Sequence, residues 1–495
     1  MLSGGSEKKL CVAVIGLLAF SAAARAQSLT LEEVIAQARQ RSVAALSARS
    51  EFVSDYWAWR SYQASRLPSL SLYGNVGNFD RSLRLLQNYE TGELQYTSNF
   101  NMQNSIGLRA RQNITLTGGT LYLYSDLSRL DQFGSFAGHS WYTQPLSLTY
   151  NQPLFTYNQY KWDKRIAPKE YEKAQRKYLE SMEEVTLTAV GLYYGVMLAK
   201  MVYDNALQNY DNTLTMLQVA RRRLSIGSVT RDECLQLELR SLNDSLAINE
   251  SKVSLQELRM QLNSLLGYDE SFELDPVIDE SLPDIVMDYD FVLAKCEENS
   301  SFYLQNSINI LNADSAIEKA KADRGITMQL NATFGLSNTS QELSQTYKNI
   351  LDQEVVGLSF SIPIFDWGLG KGKVRKAEAS AEVVKAEVRQ AENDKRISLF
   401  TAVEQFNNQR QLCSVSRRAS RIASERYGLV MDNFRGGKAS VTDLNTARSE
   451  SDQALSKYIG DLRDYWTYYY TLRKLTLYDF IKGEDISVSF DELLD

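Results

Sequence analysis

Two kinds of periodicity alternate along this chain. From 327 to 337, Met328, Leu330, Ala332, Phe334 and Leu336 form an apolar face opposite Gln329, Asn331, Thr333 and Gly335. From 354 to 365, Val356, Leu358, Phe360, Ile362 and Ile364 repeat the alternation against Gly357, Ser359 and Ser361. Earlier, Leu70, Leu72 and Val76 oppose Ser71, Tyr73 and Asn75 in a strand over 69–79, and Leu146, Leu148 and Tyr150 oppose Ser147 and Thr149 over 145–154. Strict period two predicts half-buried strands, either in a soluble antiparallel sheet or in a membrane barrel with one face to lipid. After Phe155 and again after Phe365 the period changes to that of a helix. Val374, Ala377, Ala381, Val384, Val388 and Ala391 recur at steps of three and four. Helices are predicted at about 156–225 and 368–435, each on the order of 100 Å long at 1.5 Å per residue. Helices of that length must pack side by side in a bundle or α-barrel with small residues at the seams.

Both long helices are predicted to stop at a glycine. Arg223-Leu224-Ser225-Ile226-Gly227-Ser228-Val229-Thr230 and Asn433-Phe434-Arg435-Gly436-Gly437-Lys438-Ala439-Ser440 read as turns, with Ser or Thr capping a return helix over 233–266 or 443–477. The tips 226–232 and 436–442 are related by a repeat. Glu33 to Ala38 aligns with Phe291 to Cys296 at an offset of 258 residues, as do Arg66 with Arg324 and Leu70 with Met328. Pro153-Leu154-Phe155 aligns with Pro363-Ile364-Phe365 at an offset of 210, as do Gly227 with Gly437 and Tyr268-Asp269 with Tyr478-Asp479. The chain thus divides into repeat one (27–269), a linker (270–288), repeat two (289–480) and a tail (481–495). Repeat one carries 48 extra residues between Leu72 and Pro153. They hold a predicted hairpin, about 104–130, in which Ile106, Leu108 and Ala110 oppose Arg109 and Arg111, and Leu121 and Leu123 oppose Tyr122 and Tyr124. The hairpin reads either as two more barrel strands or as an appendage; an appendage to a four-stranded core is the preferred reading.

Composition narrows the class. Lys8-Lys9, the apolar run Leu10 to Phe20 and the small residues ending Ala24-Arg25-Ala26 have the layout of a secretory signal peptide over 1–26. The net charge is −7, and about −9 without that segment, since Lys8, Lys9 and Arg25 leave with Glu7. Such a balance argues against nucleic acid as a partner. Cys234, Cys296 and Cys413 are too few and too far apart for a disulfide framework or a metal site. Only 7 prolines in 495 residues agree with long unbroken helices. Beyond the signal, no uninterrupted apolar run is long enough for a membrane-spanning helix.

The whole mature chain resembles the TolC-like outer-membrane factors. The resemblance rests on Arg66-Leu67-Pro68-Ser69-Leu70, Asn151-Gln152-Pro153-Leu154-Phe155, Pro363-Ile364-Phe365-Asp366-Trp367-Gly368 and the segment Gly437 to Asp443, in order and in both repeats. It implies a mainly α fold with β structure, internally duplicated. Long periplasmic α-barrel helices would join a transmembrane β-barrel completed by three chains, and a belt would form from about 268–288 and the segment after Tyr478. It also implies a passive homotrimeric exit duct in the cell outer membrane, no enzyme, with a periplasmic adaptor (membrane fusion protein) and an inner-membrane pump of RND or ABC type as partners. The other reading is a non-conducting exported coiled-coil and β protein. Four strands per chain cannot close around a lumen, and lipid tolerates no open sheet edge, so three chains are needed. Trp57, Trp59, Tyr157, Tyr160, Trp162 and Trp367 lie near strand ends, where an interfacial girdle would sit.

No catalytic set, metal site or cofactor site emerges. His139 is the only histidine and is read as an exposed loop residue. Gly368-Leu369-Gly370-Lys371-Gly372 lacks the third glycine and the βαβ context of a dinucleotide site. Asp443 falls where the family places a carboxylate facing the threefold axis, which implies a pore gate; a helix-start aspartate is the equal alternative. The family's further aspartate is Thr446 here, and the matched acid of repeat one is Glu233, beside Asp232. Gly227, Ser228, Thr230, Gly437 and Ser440 are the candidate adaptor-docking residues.

Overall fold

The computed structural model describes residues 27–494 apart from 88–91, 135–136, 228, 270–271, 273 and 278–281. The expected signal peptide therefore lies outside the described residues, as do Ser228 and part of the expected linker. In chain order the elements are β1 (Gln27–Leu29), α1 (Leu31–Arg41), α2 (Val43–Ser65), β2 (Ser69–Gln87), β3 (Leu94–Ile114), β4 (Gly119–Gln132), β5 (Gly138–Leu154), α3 (Gln159–Leu224) and α4 (Arg231–Leu266). Then follow β6 (Leu274–Pro276), α5 (Tyr289–Asn299), α6 (Ser301–Arg324), β7 (Thr327–Ser340), α7 (Leu343–Thr346), β8 (Leu351–Ser361), α8 (Leu369–Arg435) and α9 (Val441–Thr476). The repeat offsets recur in the elements. α1 begins 258 residues before α5, and α4 begins and ends 210 residues before α9.

Two compact units divide the chain. One comprises residues to Phe52, Arg176–Ser300 and Asp394–Asp495; the other comprises Val53–Gln175 and Ser301–Asn393. The first is helical. Its interior is built from apolar faces such as Val190, Tyr193 and Met197 of α3, Leu399, Val403 and Phe406 of α8, and Leu462, Tyr465 and Tyr469 of α9, all nearly inaccessible to solvent. α3, although it has no uninterrupted apolar run of that length, holds an 18-residue stretch apolar enough by composition to cross a membrane. Half of that stretch is buried within the protein. Its apolarity therefore serves packing. Within this unit β1 pairs in parallel with β6, and Tyr193 Oη donates to the Leu29 carbonyl (3.2 Å) and the Val277 carbonyl (2.6 Å).

One ionic cluster of this unit is centred on a fully enclosed carboxylate. The Glu183 carboxylate on α3, 0% exposed, is paired with Arg39 of α1 (3.2 Å) and Arg473 of α9 (3.3 Å). Arg473 also pairs with Asp479 (3.3 Å), which accepts from Tyr469 Oη at 2.7 Å. Burial pushes the Glu183 carboxyl above the usual range despite both arginines. Burial acts on Asp479 in the same direction. There it is outweighed by the Tyr469 hydroxyl, the backbone N–H of Lys482 and Ile481 and the Arg473 charge, and the carboxyl sits below its ordinary value.

The second unit holds a single antiparallel sheet in the order β2-β3-β4-β5-β7-β8. This corrects the four-stranded core with an appended hairpin. The inserted residues form two full strands between β2 and β5, and β2 and β5 themselves are longer than the alternation indicated. The register explains why. Leu70, Ala110, Leu123, Leu148 and Phe334 lie side by side across five strands, so the inserted apolar positions continue the row of their neighbours. The polar face is continuous too: Ser71, Arg109, Tyr124, Ser147 and Gly335 form the adjacent row. His139 lies in β5 opposite Asp131, exposed but in a strand and not a loop.

The aromatic girdle is only partly formed. Trp367 (89%) and Trp57 (61%) are exposed, but Trp162 is 5% exposed and lies beneath Arg165. Trp59 stacks on Tyr171 with centroids 5.5 Å apart. Trp57 and Trp59 lie inside α2, about 9–12 Å of helix before its end, which is why proximity in sequence did not place them at the strand ends.

Candidate functional site

The two predicted hairpin ends lie in the helical unit, and each is built the same way. α3 ends at Leu224 and α8 at Arg435; Gly227 (φ 76°) and Gly437 (φ 77°) then take the left-handed conformation that reverses the chain. The return helices open with matched capping boxes. Thr230 Oγ1 accepts from the Glu233 N–H (3.2 Å) while Glu233 accepts from the Thr230 N–H (2.8 Å). Ser440 Oγ accepts from the Asp443 N–H (3.1 Å), and Asp443 Oδ2 accepts from the Ser440 N–H (3.1 Å) and hydroxyl (2.7 Å). Each box satisfies amide donors that a helix start leaves open.

Asp443 therefore has a local role. It is exposed, and the Ser440 hydroxyl and N–H hold its carboxyl below the usual aspartate range. Its matched residue is Glu233, which occupies the same third helical position; Asp232 instead accepts from Gln236 Nε2 at 2.8 Å.

Beneath the tips, Met216, Leu217 and Ala220 of α3 pack with Cys234 and Leu237 of α4, Met431 and Phe434 of α8 and Leu444 of α9. This core makes the two hairpins one body, and it places Cys234 at a helix seam. Arg223, from the last turn of α3, reaches the other hairpin and donates to the Arg435 carbonyl (3.1 Å) and the Phe434 carbonyl (3.5 Å) at the end of α8. A cation there complements the helix dipole.

Sequence reasoning missed a second group, about two to four turns in from the tips. Asp244 is 4% exposed and accepts from Thr213 Oγ1 (2.7 Å) and from both terminal nitrogens of Arg448 (3.3 Å each). Arg240 lies 3.3 Å from the same carboxylate, and Asp452, bonded to Asn209 Nδ2 (3.2 Å), flanks Arg448 at 3.7 Å. Burial raises the Asp452 carboxyl against the opposing Arg448 charge. The cluster ties α3, α4 and α9 together. Its available signal was the recurrence of an Arg–Asp pair four residues apart, 240/244 and 448/452.

The Gly368–Gly372 segment is accounted for locally. Asp366 accepts from the Gly368 N–H (2.9 Å) and the Gly370 N–H (2.7 Å), so its carboxylate caps the amides at the start of α8. Among the described residues no cluster of three His, Cys, Asp or Glu is placed to hold a metal.

The fold is that of the outer-membrane efflux channels. It is similar to the CmeC outer membrane channel of Campylobacter jejuni (TM-score 0.65, 14% identity, 93% of this chain and 88% of that one) and to the outer membrane protein VceC of Vibrio cholerae (0.62, 13%, 92% and 97%). The open-state MtrE outer membrane channel of Neisseria gonorrhoeae is a further relative in fold (0.57, 15%, 92% and 91%). By sequence, residues 301–476 match the outer membrane efflux protein family, from the start of α6 to the end of α9. That match and the shared fold bear out the resemblance to the TolC-like outer-membrane factors. No curated protein matches the chain in sequence.

Proposed function

We propose that this protein is the passive exit duct of a tripartite efflux pump or type I secretion system, a homotrimer in the outer membrane with a large periplasmic part. The observation that carries the reading is the pairing of two matched helical hairpins with a sheet whose apolar face is open to its surroundings. Leu70 (73%), Leu72 (68%), Leu358 (55%) and Phe360 (67%) are exposed there. Burying so broad an apolar face requires lipid or protein, and lipid on one side with water on the other matches the alternation. The matched tips suit a periplasmic adaptor, which would meet Gly227, Thr230, Gly437 and Ser440. Fractionation with outer membranes, a trimer in mild detergent and ion conductance in planar bilayers are the expected results. A correctly folded trimer that conducts no ions would establish the structural, non-conducting alternative.

Asp443 also serves, on this reading, as a pore gate. Three copies near the axis would form a carboxylate ring that attracts cations. In the single chain the Ser440 hydroxyl and N–H hold the carboxyl below the usual aspartate range, while mutual repulsion in a ring of three would act the other way and favour a bound cation. Asp443→Asn is expected to weaken cation selectivity and block by multivalent cations, with only a small loss of stability from the altered capping box. Unchanged reversal potentials in salt gradients would leave Asp443 as a cap alone.

A further inference from the structure

Resting on the trimeric reading, we infer that three copies of this chain close an eighteen-stranded barrel, with the β3–β4 hairpin forming part of the lipid-facing wall. The first observation is the ladder itself. β2 pairs with β3 from Ser69↔Arg111 to Gln87↔Leu94, β3 with β4 from Asn101↔Gln132 to Ile114↔Gly119, and β4 with β5 from Thr120↔Asn151 to Gln132↔Gly138. β2 and β5 are nowhere adjacent, and two complete strands separate them.

The second observation is chemical. Residues directly opposite in an antiparallel pair share a face. Ile106 (54% exposed), Leu108 (47%) and Leu123 (41%) therefore extend the same exposed apolar band as Leu72 and Leu148, while Arg109, Arg111, Tyr122 and Tyr124 extend the polar face. Between Ile106 and Ala110 on β3 and between Leu121 and Leu127 on β4 that face is apolar except for Ser125, and a hairpin standing in water outside a barrel has no use for such a band. A strand in the wall requires it.

Third, the turn end of the hairpin is tied on both sides, to the segment before β2 and to the end of β5 and the residues after it. Gln112 Nε2 donates to the Arg66 carbonyl (2.9 Å) and Asn113 Nδ2 to the Ser65 carbonyl (3.2 Å), just before β2. On the other side Gln152 Nε2 donates to the Thr117 carbonyl (2.9 Å), and Asn158 Nδ2 to the carbonyls of Thr115 (3.3 Å) and Leu116 (3.2 Å). The turn between β3 and β4 thus lies level with the ends of its neighbours.

Closure follows from direction and number. Every neighbouring pair is antiparallel, so the two edges β2 and β8 run in opposite senses, and β8 of one copy can pair antiparallel with β2 of the next. Six strands fall below the eight of the smallest outer-membrane barrels, so one chain cannot close alone. Barrel diameter grows roughly linearly with strand number, so eighteen strands give a bore about 1.5 times that of twelve.

The test is imaging of the full-length assembly in lipid nanodiscs by electron cryomicroscopy, with copies and strands counted in the same particle. Three copies and eighteen strands are expected. Three copies around twelve strands would overturn the inference while leaving the duct intact; any other copy number would overturn both. A second measurement needs no image. Leu108→Cys and Leu148→Cys, each labelled with bimane in liposomes containing spin-labelled lipid, are expected to be quenched to within twofold of each other. Quenching at 148 with none at 108 would place the hairpin outside the wall.

Discussion

Arg473→Met is expected to destabilise the helical unit by about 3–5 kcal/mol, because it strands two buried carboxylates. Glu183, with no exposed side-chain surface, would keep only Arg39, and Asp479 would lose its cation. The penalty should depend on pH in a definite sense. Glu183 already titrates above the usual carboxyl range, and losing Arg473 moves its folded value further up and raises that of Asp479. A carboxyl whose folded pKa exceeds its unfolded one stabilises the fold fully below the unfolded value, and that contribution is lost as pH rises through the folded value. The variant should therefore trail the wild type more at pH 8 than at pH 5. Thermal melts in detergent at the two pH values measure this. An equal deficit at both would mean that Arg473 acts by packing on Tyr470, whose ring lies 5.6 Å from its guanidinium, and not by charge.

Such a cluster is invisible in a single sequence because its members are far apart. Arg39, Glu183 and Arg473 belong to three helices, and no local spacing joins them. The helices themselves were legible. The predicted return helix 233–266 is observed as Arg231–Leu266, and 443–477 as Val441–Thr476, because long amphipathic periodicity, a left-handed glycine and a Ser or Thr cap each mark a boundary through local chemistry. The inserted hairpin lay between these cases. Its alternation was plain in Ile106, Leu108, Leu121 and Leu123, but whether it joined the sheet depended on register with β2 and β5, a property of pairing that one strand does not carry. The preferred reading was an appendage to a four-stranded core, and the structure places both strands in the sheet, between β2 and β5.

The tips bear the last expectation: Gly437→Trp should leave an assembled, membrane-inserted trimer that no longer supports export. The stability cost is bounded. A side chain in the left-handed conformation costs about 1–2 kcal/mol. A Cβ at 437 would also meet Arg223 Nη2 at 3.1 Å, the far end of a flexible side chain that can move aside. At the matched Gly227, also left-handed, a Cβ would meet nothing within 4 Å, so Gly227→Trp carries the strain alone. Comparing the two separates causes. If an adaptor meets all six hairpin ends of a trimer, both variants should lose export and adaptor co-purification by tenfold or more, although only one disturbs Arg223. If export fails for Gly437→Trp alone, the released Arg223 contact with the Phe434 and Arg435 carbonyls becomes the cause, and Arg223→Gln should reproduce the defect without any bulk at the tip. Normal export by both variants, in trimers shown to be assembled by native gel, would exclude the glycine tips as the docking surface.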